Sequence, residues 1–331
     1  MKPVNWGVLG AANFALNHMA RAIHEADGAR FAALATSTPA KAEPFRAFAP
    51  DLKVHPTYDA LLADPDIEAV YIPLPNHLHV EWTKKALLAG KHVLTEKPIA
   101  MKASEIDELI ALRDKTGLFA TEAYMIVHHP QWQKARDLVR SGAIGVVDHV
   151  DTAFTYDNRS EPENIRNRPE TGGGSIPDIG VYTFGSTRWV TGAEPTRLDA
   201  RVRRENGVDV WTHVTADMAG PERNAPRFTY SSITSMRLFP RQEVVFQGTK
   251  GMIRVGYGPF NAGLHAEAQV HLFHAGGHDE VFRFPGARQY RLQVEAFGRK
   301  IRNGAPYPWT LEDAKGTQAM IDMVWANETS A

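Results

Sequence analysis

A lysine stands between an acid and a proline in TEKPIA (95–100), at the end of the apolar run KHVL. Pro98 disfavours helical geometry at Lys97, so the ammonium closes an extended segment and opens a rigid bend. Placed at a cleft, it can fix a substrate hydroxyl and lower its pKa; placed at a surface edge, it is simply solvated. A second cluster, GVLGAANFA (7–15), has Gly10, Ala12 and Ala15 at the three small-residue positions of a G-x-A-x-x-A turn, with Ala11, Asn13 and Phe14 among them. Small residues at that spacing permit a tight strand-to-helix turn, close approach of backbone to a pyrophosphate, and close helix packing. The motif is degenerate, because alanine does not share glycine's freedom at positive φ. A third cluster, ATSTPAKAE (35–43), offers hydroxyls at Ser37 and Thr38 and a cation at Lys41, with no acid from Ala35 through Lys41. An acid there would bind the ribose hydroxyls of NAD. Hydroxyls and a cation suit the 2′-phosphate of NADP better, so NADP is the expected cofactor and NAD the alternative.

These residues need a frame, and the pattern of the chain supplies one. NWGVLG (5–10), RFAALATS (30–37), EAVYIPLP (68–75), KHVLTEKP (91–98) and LFATEAYM (118–125) read as strands, separated by helical patterns such as ALNHMARAIHEADG and SEIDELIALRDKTG. Alternation of this kind predicts βαβ units and a parallel sheet, an NAD(P)-binding Rossmann domain over residues 1–125. Lys97 and the glycine turn then fall at the carboxyl edge of the sheet, where ligands of such sheets sit. Beyond residue 130 the period changes to two in VDHVDTAFTY, WTHVTADMAG, RFTYSSITSMRL, QEVVFQGTKGMIRV, AEAQVHLFHAG and DEVFRFPG. That predicts an α+β domain over 126–331, built on an open, mainly antiparallel sheet. The last helix, near 311–327, is expected to pack back on the first domain.

Bulk properties narrow the function. A chain of 331 residues favours two domains. A net charge of −1 gives no electrostatic reason to expect nucleic acid or an anionic membrane. With no cysteine, thiolate zinc sites, disulfides and a cysteine nucleophile are excluded. The N-terminal MKPVNWGVLGAANF does not read as a signal peptide, and no 18-residue apolar run offers a membrane span; a cytoplasmic location is the expectation.

YIPLPNHLH followed by GKHVLTEKP, with EAYM…HHPQW, GGGSIPDIGVY, GTKGMIRV and QVEAFGRKIRNG further on, resembles the glucose–fructose oxidoreductase/inositol dehydrogenase (Gfo/Idh/MocA) family. The resemblance covers essentially the whole chain. It is nearest to the NADP-dependent D-xylose dehydrogenase and dimeric dihydrodiol dehydrogenase branch, which shares GGG…DIGxY. The resemblance implies that Lys97 is the catalytic lysine and that Asp178 and Tyr182 are the acid and tyrosine of its D-x-G-x-Y motif. Four residues apart, these two share one face if the segment is helical. A cationic Lys97 would then help Tyr182 exchange a substrate hydroxyl proton, while Asp178 orients the sugar. By the same match Pro73, Leu74, Asn76 and His79 line the nicotinamide ribose and phosphates, Glu96 contacts the ribose, and Arg166 lies near cofactor or substrate. Tyr124 and His129 join the substrate contacts. The branch usually carries a basic residue where this chain has Val127, leaving His128 or His129 to substitute for it.

The implied activity is hydride transfer between nicotinamide and a sugar-like hydroxyl or carbonyl, as in an aldose 1-dehydrogenase acting on D-xylose or glucose. Dihydrodiol oxidation, reduction of an anhydro- or keto-sugar, and a non-catalytic NADP-sensing co-regulator are the alternatives. No metal is expected, since the histidine spacings match no ligand set and His265, His271, His274 and His278 read as strand or loop surface. Strands alternating apolar residues on both faces imply a homodimer or homotetramer through the second sheet.

Overall fold

The structure, a computed structural model, describes residues 2–220, 222, 226–264 and 266–331. The chain divides into two compact units, residues 1–128 with 289–315 and residues 129–288 with 316–331.

In the first unit Val4–Leu9 (β1), Ala29–Ala35 (β2), Lys53–His55 (β3), Ala69–Ile72 (β4), His92–Thr95 (β5) and Ala120–Glu122 (β6) form one parallel sheet. Its order is β3-β2-β1-β4-β5-β6. The apolar runs VNWGVL and AVYI are buried on both faces, as strands covered by helices on each side must be. The order reverses between β1 and β4, so the carboxyl ends of these two strands open the crevice in which such sheets bind ligands. Strand β3 lay hidden between two helical patterns, too short to show a period. The segment LFATEAYM contributes β6, inside the parallel sheet.

A helix from late in the chain belongs to this unit. Gln289–Asn303 packs Phe297 against Trp6, ring centroids 4.7 Å apart, and buries Val294 in the same core. Arg302 near its end donates to the carbonyls of Lys2 and Pro3 and pairs with Glu68 at 2.8 Å. The final helix, Leu311–Ala326, has its first turn in the first unit and the rest in the second. The amphipathic stripe of QYRLQVEAFGRKIRNG, with the aromatic Phe297 at its centre, explains the preference.

The described residues of the second unit form nine strands: Val147–Asp157 (β7), Glu194–Glu205 (β8), Val208–Ala219 (β9), Arg227–Ser235 (β10), Arg237–Gly248 (β11), Gly251–Gly256 (β12), Ala268–His274 (β13), His278–Phe284 (β14) and Glu328–Ser330 (β15). Their order is β14-β13-β12-β11-β7-β10-β9-β8-β15. Pairing is antiparallel except between β10 and β7 and between β15 and β8. Along β9, Val210, Thr212, Val214, Ala216 and Met218 are buried while Thr215 and Asp217 are exposed, the alternation of a sheet covered on one face. Helix Pro130–Arg140 is held to the sheet side by Gln131 and Trp132, both donating to the carbonyl of Pro259 at 2.9 Å.

Candidate active site

The turn after β1 is built around Gly10, whose φ of +106° is the left-handed region that glycine alone adopts without strain. A Cβ there would come within 3.3 Å of both the Leu74 side chain and the Tyr58 hydroxyl. The Gly10 amide donates to the carbonyl of Ala35, tying the turn to the end of β2. Ala11, Ala12 and Phe14 are half-buried and Asn13 exposed as the helix opens, which presents helix N-terminal amides to an anion. Ser37, Thr38 and Lys41 all lie exposed just past β2, on the same sheet edge. This turn, with accessible hydroxyls and a cation at the ribose end, fits a nicotinamide dinucleotide; the group itself supplies the hydride chemistry.

Past β4 and β5 the loops are braced against each other. His79 is fully buried, with Nδ1 2.7 Å from the carbonyl of Pro98 and Nε2 2.7 Å from that of Leu74. Two acceptors favour the charged ring, but burial outweighs them and lowers its pKa to about 4. The expectation that His79 lines the cofactor is therefore corrected: it clasps the two loops from inside, while Pro73 and Asn76 stay half-buried at the edge. Glu96 accepts from the Tyr71 hydroxyl at 2.5 Å, and Lys97, half-buried, precedes Pro98 through a cis peptide.

Beneath this loop lies a residue that the sequence reading missed. Glu122, at the end of β6, is buried and accepts from the Ile99 amide and from Trp309 Nε1, each at 3.0 Å. Burial raises its pKa from 4.5 to about 7, despite those donors and the Lys97 charge. Between pH 4.5 and 7 the folded state therefore binds more protons than the unfolded one, so stability falls as pH rises through that window and is level above it. The shift corresponds to roughly 3 kcal/mol. Glu122→Gln should accordingly gain on the parent as pH rises from 5 to 8 in thermal melts; a constant difference across that range would remove Glu122 as the source.

Tyr124 and the two histidines also need correction. Tyr124 is fully buried and stacks on Trp309 with centroids 4.1 Å apart, so it is core and not a substrate contact. His129 is fully buried too, and its Nδ1 caps helix Pro130–Arg140 by accepting from the Gln131 amide at 3.1 Å. Burial lowers its pKa to about 4 and that of His128 to about 3. Neither supplies a cation in place of the basic residue that Val127 replaces.

In the second unit the acid and tyrosine stand where a π-helical turn, Ile176–Gly180, runs into helix Val181–Thr191. Such turns recur at functional sites because they re-aim side chains. Asp178 Oδ2 accepts from the Tyr156 hydroxyl at 2.6 Å and lies 2.8 Å from Arg166 Nε. Tyr182 is nearly buried, its ring stacked on Phe260 and tilted against Phe154 at centroid distances of 5.5 and 5.9 Å. The Asp178 charge holds the Arg166 guanidinium above its usual pKa, with Tyr156 and Tyr182 adding to it. Burial, then Asp178, pushes the Tyr156 phenol well up, so it remains a donor. Tyr156 was missed; its place in the alternation of DTAFTYD, on the face shared with Phe154, is the signal that was there to read.

The surface histidines are partly grouped. His274 lies 2.8 Å from Glu280, and its ring faces His278 across the β13–β14 hairpin at 5.1 Å. Taken singly, their spacing had suggested no ligand set. His271 lies half-buried on β13 beside Gln269, and His265 lies outside the described residues.

Two family models match this chain. Residues 4–124 match the oxidoreductase family with an NAD-binding Rossmann fold, and residues 132–254 match the GFO/IDH/MocA C-terminal domain. The chain belongs to the Gfo/Idh/MocA oxidoreductase family. It is an enzyme of a family of NAD(P)-dependent sugar oxidoreductases, and its cofactor is a nicotinamide dinucleotide. A dTDP-3,4-didehydro-2,6-dideoxy-α-D-glucose 3-reductase of Saccharopolyspora spinosa is 35% identical, over 92% of this chain and 89% of that one. D-xylose 1-dehydrogenase (NADP(+)) 2 of Haloferax volcanii is 30% identical over 98% of each. Among solved structures, a 3-ketoreductase from Actinomadura kijaniata in complex with NADP and TDP-benzene superimposes with a TM-score of 0.87 at 28% identity, covering 99% of both chains. Among the described residues no helix is long and apolar enough to cross a membrane.

Proposed function

We propose that this enzyme interconverts a hydroxyl and a carbonyl on a sugar-like substrate, using NADP in preference to NAD. The observation that carries this is the pair Asp178–Tyr182, with Asp178 fixed by Arg166 and Tyr156 and the tyrosine ring walled by Phe154 and Phe260. In the oxidative direction Tyr182 takes the hydroxyl proton as the carbon loses hydride, Lys97 stabilises the developing negative charge, and Asp178 holds a neighbouring hydroxyl. In reduction the same tyrosine returns the proton. An aldose such as D-xylose, oxidised at C1, is the first substrate reading, supported by the xylose dehydrogenase relative. Reduction of a keto group on a nucleotide-linked deoxysugar is the second, supported by the Saccharopolyspora spinosa 3-reductase at 35% identity and by the 3-ketoreductase in complex with NADP and TDP-benzene. A trans-dihydrodiol remains a third class to include.

One assay tests both parts. Purified protein is offered aldoses, inositols, a dihydrodiol and dTDP-linked keto-sugars, with NADP or NAD, and nicotinamide absorbance is followed. NADP should bind more tightly, and Lys41→Ala should narrow the gap about tenfold or more, because a hydrogen bond to a charged group is worth about 1.5–3 kcal/mol. A parent enzyme that prefers NAD would overturn the reading of Ser37, Thr38 and Lys41; no turnover with any sugar class would overturn the substrate reading.

The chain is further proposed to assemble as a homodimer or homotetramer through the second sheet, where β9 leaves alternate residues uncovered. Light scattering at micromolar concentration should give twice or four times the 36.7 kDa chain mass. A monomer there would refute it.

A further inference from the structure

We propose that Arg166 and Tyr156 are positioning residues for proton transfer, holding Asp178 as a charge-compensated partner so that Tyr182 works beside a neutral pair and not beside a bare carboxylate. This rests on the reading of Tyr182 as the proton-transfer group. Arg166 Nε and the Tyr156 hydroxyl converge on the same oxygen, Asp178 Oδ2, at 2.8 and 2.6 Å. Their elements are independent: Tyr156 is on β7, Arg166 in the short turn Ile165–Asn167, and Asp178 in the π-helical turn. That turn is itself fixed, since the Arg166 amide donates to Asn164 Oδ1 and the Arg166 carbonyl accepts from the Gly174 amide. Among the described groups of this unit, Asp178 precedes Tyr182 by four residues, the Arg166 charge acts on both, and the uncharged rings of Phe154 and Phe260 pack against the tyrosine.

The alternative is that Arg166 and Tyr156 merely anchor a loop. The two differ in what happens to charge. An uncompensated carboxylate one helical turn from a phenol disfavours the phenolate, so losing the guanidinium should raise the Tyr182 pKa and leave less of the phenolate that accepts the proton at a given pH. Removing the carboxylate as well should undo that, which no loop anchor would do.

The test is the pH dependence of single-turnover hydride transfer in the oxidative direction, with the full enzyme saturated in NADP. Arg166→Gln should move the rising limb upward by on the order of one pH unit, so that the rate below the limb falls about tenfold. Arg166→Lys should recover part of the shift, and Tyr156→Phe should move the limb the same way by less. The double variant Arg166→Gln with Asp178→Asn should bring the limb back towards the parent position, even if its maximum rate stays low. An unmoved limb in both Arg166→Gln and Tyr156→Phe, with melting temperature intact, overturns the proposal. Weaker NADP binding with an unmoved limb likewise overturns it and makes Arg166 a cofactor ligand. If Arg166→Gln does not fold, the limb of Tyr156→Phe decides. A limb that persists unchanged in Tyr182→Phe instead overturns the proton-transfer reading on which this one stands.

Discussion

Lys97→Ala is expected to lose at least about a hundredfold in kcat while still binding NADP. General acid–base assistance of the kind assigned to Lys97 and Tyr182 contributes about 10²–10⁴-fold. The residues proposed to hold the phosphates and the adenosine ribose come from other strand ends. The turn at Gly10, the hydroxyls of Ser37 and Thr38 and the cation of Lys41 belong to the ends of β1 and β2, whereas Lys97 follows β5. The loop carrying Lys97 is braced by groups the substitution leaves in place: His79 against the Pro98 carbonyl, Tyr71 against Glu96, and Glu122 against the Ile99 amide. Truncation should therefore remove the ammonium without collapsing the loop. Residues that serve one step are not additive, so on the proposed function Lys97→Ala with Tyr182→Phe should be little worse than the poorer single variant. The comparison requires kcat and NADP affinity for all three proteins. Near-normal turnover in Lys97→Ala, with cofactor bound, would take the lysine out of the mechanism and reopen a role in sensing the cofactor.

The residues that the sequence singles out share one property: they lie at points where the chain must do something locally unusual. Gly10 needs positive φ, Lys97 sits before a proline, and Asp178 and Tyr182 follow a run of three glycines. The parallel sheet was legible for a related reason, because strands buried on both faces read as short unbroken apolar runs. What was not legible depends on contacts distant in sequence. Glu122 looks like any strand-end acid until Trp309, 187 residues on, donates to it. His79 and His129 looked like polar residues available to a ligand, and their neighbours turn them into a loop clasp and a helix cap. Tyr124 was read as a wall of the site, but its stacking partner Trp309 makes it core. Sequence position gave no hint that Gln289–Asn303 would dock on the first unit, because an amphipathic stripe tells which face is buried and not against what.

Asp209 was invisible for the same reason, and its removal should carry the largest cost to stability. It lies on β9, 2% exposed, and accepts from Ser175 Oγ at 2.6 Å and from the Ile176 amide at 2.8 Å. Those donors open the π-helical turn that carries Asp178, so Asp209 fixes the start of the catalytic segment from the sheet below. The preceding Gly174 makes this possible: at φ +125°, a Cβ there would fall 2.0 Å from Asp209 Oδ1. Burial raises the Asp209 pKa to about 6 and the donors hold it back, so its carboxylate is still the prevailing form at neutral pH. Asp209→Ala leaves the Ile176 amide buried without its acceptor and the Ser175 hydroxyl with only Thr234 Oγ1, 3.1 Å away, and the loss of these hydrogen bonds to a charged group should cost about 3–5 kcal/mol. For a chain of this size that is a fall of about 4–7 °C in melting temperature. The segment carrying Asp178 should loosen with it, and on the proposed function kcat should fall while the affinity for NADP stays near that of the parent. Gly174→Ala should reproduce the defect, because the added methyl displaces the same carboxylate. Melting curves and NADP titrations on both variants check this. A melting temperature within about 2 °C of the parent for Asp209→Ala, well inside the shift expected from a lost buried acceptor, would show that water satisfies Ser175 and Ile176 and that Asp209 is not what holds the segment in place.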